Sequence, residues 1–458
     1  MTAGTRVRTS RDTRDTGSAG GSPGRRRPGR RGSSRTTAPA ASAPAAATGA
    51  VVPRTSSRPG SMGPLRLQQL VLIEVAAAVV LVGWAIGKMA LIPASVVAVV
   101  LVLLALVRRG RRPIAEWLAT ALALRRRKRQ AAQPLDAGTD PSFAPAVECE
   151  PALATSTFTD RERRPVGMVG DGTFLTAVLQ IEAVDSPLRP QRTQRPLPLA
   201  LLRDAMEVEG IRLESVQIVQ SALPAPAPHL PEQAVAARNY VPLQAQTGAP
   251  AVRLTWVALK LNPELCPEAV EARGGGLEGA QRCVLRAADQ LASRLQGAGF
   301  GVTVLTEEGL TAAIATAASA NPMATAQAGR TNAPTRRTVE SSRTWRCDDR
   351  WHTTYWVGRW PQLGPSATPL PQLAALLTSL PALSTTLSLT LGRGGTQNGR
   401  HAPTVTGHVR ITGRSADELV AVRREMERTA RGVKVGLVRL DREQVPGVLA
   451  TLPLGGTR

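Results

Sequence analysis

The sequence predicts an α/β (α+β) cytosolic domain, a duplicated ferredoxin-like βαββαβ unit, preceded by a two-helix transmembrane hairpin. Three observations predict it. Residues 65–107 form an apolar block divided by a Gly87-Lys88-Met89 turn. Arginine clusters flank that block on both sides. Beyond residue 160, strand-like and helix-like patterns alternate, and their order recurs after residue 340.

The chain has 458 residues, with 57 Lys+Arg against 34 Asp+Glu, a formal net charge of +23. That length accommodates about two or three domains. Residues 1–64 hold 12 Arg and two Asp, and residues 108–129 hold nine Arg/Lys and one Glu. From residue 130 onward the chain is nearly neutral, so the excess charge belongs to the flanks of the apolar block. Residues 1–64 are rich in Gly, Pro, Ser, Thr and Ala without periodicity, and read as a disordered Arg-rich tail. Arginine without interleaved aromatics or a folded module is not a nucleic-acid signature, so none is assigned as a partner. Aromatics make up 3% of the chain, which leaves Ala, Val and Leu to build the core. Cys149, Cys266, Cys283 and Cys347 form no CxxC pair, which excludes a disulfide scaffold and argues against structural zinc.

Within the block, Leu65–Ile86 and Ala90–Val107 are long enough, at about 1.5 Å per helical residue, to approach a hydrocarbon core of about 30 Å. Lipid offers the backbone no partner, so such segments must be helical there. Arg-rich flanks resist translocation, which places both outer ends in the cytoplasm and predicts a multi-pass protein of the cell (inner) membrane. A buried hairpin of a soluble protein is the alternative. Glu74 sits inside the first apolar run, either facing a partner or reaching the headgroup region. After the block, Ile114, Trp117, Leu118, Ala121 and Leu122 fall on one helical face, and Arg125-Arg126-Arg127-Lys128-Arg129 follows. Residues 108–129 thus read as a basic juxtamembrane amphipathic helix lying on an anionic leaflet.

Residues 130–160 hold Pro134, Pro141, Pro145 and Pro151 and read as a linker. The first cytosolic half, 161–319, is assigned from strands at Thr173–Ile181, Ile211–Gln220, Val252–Leu261 and Val302–Thr306. Helices are read at Leu199–Glu209, Leu277–Leu295 and Glu307–Ala318. Residues 320–340 form a second linker. The second half, 341–458, repeats the order: strands Trp351–Val357, Thr385–Leu391, Thr404–Ile411 and Val433–Leu440, with helices Gln372–Leu380 and Ser415–Ala430. Ser415 and Glu418 make a capping box at the start of the last helix. Arg195–Leu202 parallels Thr368–Leu377, and Gly301–Leu305 parallels Gly432–Leu437, which is the basis for a duplication.

No sequence feature carries chemistry. The chain has no GxxxxGK[ST], and Gly297-Ala298-Gly299-Phe300-Gly301 joins a helix to a strand, the wrong order for a phosphate loop. Gly274, Gly275 and Gly276 precede a helix and form either an anion nest or a flexible turn. Cys347, Asp348, Asp349 and His352 read as a hairpin tip rather than a metal site. No catalytic residue, cofactor or metal is assigned. Trp345, Trp351, Tyr355, Trp356 and Trp360 crowd into one short stretch and are candidates for a partner interface, the alternative being a local mini-core.

Gly170-Asp171-Gly172-Thr173, Ala272-Arg273-Gly274-Gly275-Gly276-Leu277-Glu278-Gly279 and the Trp351–Pro361 stretch, together with the hairpin, resemble the EccE family. That family is a membrane component of actinobacterial type VII (ESX) secretion systems. The resemblance covers about residues 65–450, and the long Arg-rich tail departs from it. It implies a non-enzymatic structural subunit of an inner-membrane export complex, assembled with EccB, EccC and EccD-like subunits and the lipid bilayer. In such systems EccC is the ATPase, which agrees with the missing P-loop. A membrane-anchored enzyme, such as a glycosyltransferase-like α/β protein, is the alternative.

Overall fold

A computed structural model describes residues 65–106, 112–131, 138–183, 196–224, 252–330, 335–362, 369–397 and 400–456, with short isolated pieces elsewhere between 54 and 242. All of these lie in one compact unit, Ala50–Arg458. The tail 1–49 and the stretches 184–195 and 243–251 lie outside the described residues.

Two helices open the chain, α1 (Leu67–Ile86) and α2 (Lys88–Leu106), turning at Gly87, whose φ of +131° suits glycine alone. They pack closely because Gly83 faces Ala94; a Cβ at Gly83 would lie 2.4 Å from that methyl. Both are apolar all round, with Leu81, Trp84, Ile86, Met89, Ile92 and Val96 exposed. The transmembrane expectation is nevertheless corrected: among the described residues, no helix is long and apolar enough to cross a membrane. Glu74 is exposed on α1.

α3 (Ile114–Gln130) carries the arginine run inside its last turns instead of after its end. The short α4 (Ala144–Val147) then leads into a meander of three strands, β1 (Ala154–Thr159), β2 (Pro165–Gly170) and β3 (Leu175–Ala183). Next come α5 (Leu199–Asp204), β4 (Ser215–Leu223), β5 (Val252–Leu261), α6 (Pro267–Glu271), α7 (Gly276–Gly297), β6 (Phe300–Val304), α8 (Glu307–Ala317) and α9 (Pro322–Ala328). A second meander follows, β7 (Thr338–Glu340), β8 (Trp345–Cys347) and β9 (Arg350–Arg359). The chain finishes with α10 (Leu370–Thr378), β10 (Ser384–Gln397), β11 (Arg400–Gly413), α11 (Ala416–Gly432), β12 (Gly436–Arg439) and α12 (Gln444–Leu449).

The expected pair of ferredoxin-like halves behind a membrane hairpin does not stand. These twelve strands belong to one sheet of order β7-β8-β9-β11-β10-β4-β5-β3-β2-β1, with β6 on β3 and β12 on β9. The two-residue strand Arg54–Thr55 adds a parallel contact to β11. The body is therefore a single mixed α/β fold. A strand order does recur about the seam, β4-β5-β3-β6 against β10-β11-β9-β12. But β4 and β10 pair antiparallel from Ser215↔Gly392 to Ala222↔Thr385, which fuses the two parts into a continuous sheet. The reason is burial on both faces: Val216, Ile218 and Val219 in β4 are all buried, so neither strand can serve as a solvated edge.

Helices cover both faces. On one, α5, α7, α10 and α11 bury Leu202, Val284, Leu291, Leu373, Leu377, Leu419 and Met426 against Leu179, Leu259, Leu389 and Val409. On the other, α4, α8 and α12 bury Ala146, Leu310, Ile314 and Val448 against Val178, Val219 and Trp256. The strip between them on this second face is polar. Residues 450–455 cross it: Gln217 donates to Ala450 O at 2.9 Å and accepts from Gly455 N at 2.8 Å, and Ser215 donates to Gly455 O at 2.5 Å. Arg410 lies fully buried there and donates to Ala317 O at the C-terminus of α8, where a cation complements the helix dipole. Burial pulls its guanidinium down to about 10.

Candidate functional site

Two of the segments that carry the family resemblance meet at one groove. It has a volume of about 590 Å³ and lies between the β2–β3 turn, the start of β1 and the α6–α7 corner. Phe174, Leu175, Pro263, Pro267, Leu277 and Ala280 supply apolar lining, and Glu264 and Glu271 supply negative charge.

The β2–β3 turn is held by Asp171. Its carboxylate accepts from Thr173 N (2.8 Å), Thr173 Oγ1 (2.7 Å) and Phe174 N (3.3 Å), and Gly172 takes φ +90°. Burial pushes the Asp171 carboxyl up, but these bonds and nearby Lys260 outweigh it and hold it below its ordinary value. Lys260 lies over the Phe174 ring, 4.2 Å from its centre, and its ammonium is 3.5 Å from Glu214. The floor of the groove is thus fixed by an aromatic–cation stack beneath a tight turn.

The α6–α7 corner explains the glycine run. Gly274 N donates to Glu271 O and Gly275 N to Val270 O, each at 3.0 Å, closing the end of α6. Gly275 has φ +70°, and the Glu271 carboxylate stands beside it. Gly279 then lets α7 touch α6 directly, since a Cβ there would sit 2.4 Å from Val270 O. So two of the three N–H groups of the candidate anion nest Gly274, Gly275 and Gly276 are already committed, and a carboxylate faces the turn. What remains is a helix–helix joint that sets the groove wall.

The aromatic stretch divides between core and surface. Trp345 is fully buried, its ring tilted against that of His352 with centres 4.8 Å apart. Tyr355 is also buried and donates from its hydroxyl to Glu427 at 2.9 Å. Trp351, Trp356 and Trp360 are half-buried. The Trp360 ring lies against Gly407, where a Cβ would fall 2.6 Å away. The structure therefore does not gather these five residues at one surface. Cys347 and His352 lie in the second-face interior near Cys149, and no three His, Cys, Asp or Glu converge as a metal site among the described residues.

Sequence reasoning missed two features. One is the clamp that holds α3: Arg127 donates to both oxygens of Glu340 (2.9 and 3.1 Å) and to Arg442 O (2.6 Å), while Arg442 lies over the Trp117 ring at 4.6 Å. The other is β1 itself, whose Thr155, Thr157 and Thr159 alternate in a stretch that reads as linker.

Residues 249–357, from β5 to β9, match the family model described as "Putative type VII ESX secretion system translocon, EccE". Over this segment the chain is similar to the EccE family. The segment contains the α6–α7 corner and the buried Trp345 and Tyr355, and covers well under half of the chain. No curated protein matches the chain.

Proposed function

We propose that this EccE-family chain is a non-enzymatic structural subunit of a type VII protein-secretion complex, held at the membrane through α1 and α2 and presenting its sheet body to EccB-, EccC- and EccD-like neighbours. The family match over β5–β9 carries the reading. Two features support it. Away from their mutual contact, the helices α1 and α2 expose many large apolar side chains, and so extended an apolar surface marks a place of contact with lipid or protein. The clamp of α3 onto β7 ties that apolar pair to the body, so a movement of one is carried to the other. Glu74, Trp351, Trp356 and Trp360 are the named positions that reach the surface, and Arg125, Arg126, Lys128 and Arg129 are exposed on α3, where they can meet anionic headgroups.

Gentle detergent extraction followed by affinity purification of the full chain tests this. Stoichiometric recovery of the other secretion subunits is expected, and deletion of residues 67–106 abolishes it. Recovery of the full chain alone from native membranes would reject the proposal.

A further inference from the structure

We infer that the outer edge of β1, with the groove at its start, takes up an extended segment of a partner protein that carries an apolar side chain beside basic residues. The inference deepens the scaffold reading, but it rests on the sheet edge and not on the family.

The sheet path ends at β7 on one side and β1 on the other. The β7 end is sealed. Glu148 accepts from Arg337 N (2.8 Å) and Thr338 N (2.6 Å), Glu340 accepts from Val445 N (3.0 Å), and Arg127 lies across it. Among the described residues nothing comparable covers β1, and its one strand neighbour there is β2.

The register shows which groups β1 offers. Gly167 N donates to Leu305 O, away from β1, so its partner Thr157 directs its own N–H and C=O away from β2. Alternation then turns Thr155 and Thr159 the same way, which is consistent with their partners Val169 and Pro165. Three donors and three acceptors thus line the free edge. The edge is also held rigid. Thr155 Oγ1 donates to Glu307 at 2.7 Å and Thr157 Oγ1 donates to its other oxygen, while Arg164 ties the β1–β2 turn to Asp289 on α7 at 2.8 Å.

Edge strands are usually blunted by Lys, Pro or a bulge, and Ala154–Thr159 has none of these. Main-chain pairing along such an edge supplies affinity, and a neighbouring pocket supplies selectivity. Here the pocket is the groove, which begins at Ala154, Thr155 and Ser156 and exposes Leu277 for an apolar side chain. Glu264 and Glu271 are exposed in its lining and favour basic neighbours.

The test uses the full chain in detergent and a short synthetic peptide of alternating Thr and Val with one central Leu and flanking Arg. Binding is read by fluorescence anisotropy and by amide exchange. Exchange at Thr155, Thr157 and Thr159 should slow about tenfold on binding. Thr157→Pro removes one outward donor at a position where edge strands tolerate proline, and should abolish binding with the body still folded. Leu277→Ser and Glu264→Lys should each weaken it about tenfold, and so should Asp in place of the flanking Arg. Binding that leaves the three amides unchanged, or survives Thr157→Pro, overturns the inference. So does protection that appears without peptide: with rising concentration it assigns the edge to a second copy, and if lost on deleting residues 1–49 it assigns it to the chain's own arginine segment. Because no secretion subunit is present, these outcomes stand apart from the co-purification result.

Discussion

Replacing Glu340 by alanine should loosen the arm that joins the apolar helices to the sheet. Glu340 accepts two hydrogen bonds from Arg127 and one from Val445 N, and its side chain is 6% exposed against 22% for Arg127. Hydrogen bonds to charged groups contribute about 1.5–3 kcal/mol, and an unsatisfied buried N–H such as that of Val445 costs about 1–3 kcal/mol. The partial exposure of Arg127 reduces the ionic share. The sum is about 3 kcal/mol for Glu340→Ala, of which about 2 kcal/mol is coupling to Arg127. A difference of about 2 kcal/mol corresponds to roughly thirtyfold in the opening equilibrium of α3. Amide exchange along Ile114–Gln130, measured for Glu340→Ala, Arg127→Ala and the double variant, reads that equilibrium directly. If α3 exchange changes less than about threefold in Glu340→Ala, or the two variants add without coupling, the clamp is not what holds the arm.

Three further expectations follow from the interior. Gly279→Ala places a methyl 2.4 Å from Val270 O, so it should destabilise the body by about 1–3 kcal/mol despite the higher helix propensity of alanine; thermal melting checks this. His352 is fully buried, and burial together with Arg410 and Arg350 holds its imidazole well below 6.5. It stays neutral when folded and binds a proton when unfolded. Its contribution is therefore complete above the ordinary value and is lost as pH falls below it, at no more than about 1.4 kcal/mol per pH unit. Urea titrations between pH 7 and 5 should show this slope reduced in His352→Gln. Burial also pushes the thiols of Cys149 and Cys347 far up, so neither should react with iodoacetamide near neutral pH until denaturant is added; intact-mass spectrometry reads the outcome.

Where local pattern decides structure, the sequence was legible. Val252–Leu261 forms a strand over those very residues, and Ser415 caps α11 as its spacing with Glu418 implies. Ile211–Gln220 reads as one strand but is split, because Glu209 and Gly210 take positive φ and fold Glu207–Arg212 into a small hairpin before β4 begins. β1 escapes notice because in Ala-Thr-Ser-Thr-Phe-Thr one face is all Thr and the other carries Ala, Ser and a single Phe, which makes no apolar stripe. The seam escaped for a different reason. β4 and β10 each read as buried strands, but no local signal says that two such strands, far apart in the chain, will choose each other. The groove is half visible, since both of its corner segments stand out as glycine-rich turns in the sequence, but their convergence is a property of the sheet. Arg410 gave no warning at all: an arginine alternating with Val409 and Ile411 looks solvent-facing until the far side of the sheet is also covered.

The crossing of the polar strip by residues 450–455 has a consequence for the order in which the molecule is made. Gln217 waits for partners 233 and 238 positions downstream. While the intervening stretch is still being synthesised, the first-formed strands carry hydroxyls and an amide with nothing to satisfy them but water. The sheet can associate early, yet its middle can dry out only when those downstream residues arrive and are laid across it, as a zip fastener closes from its far end.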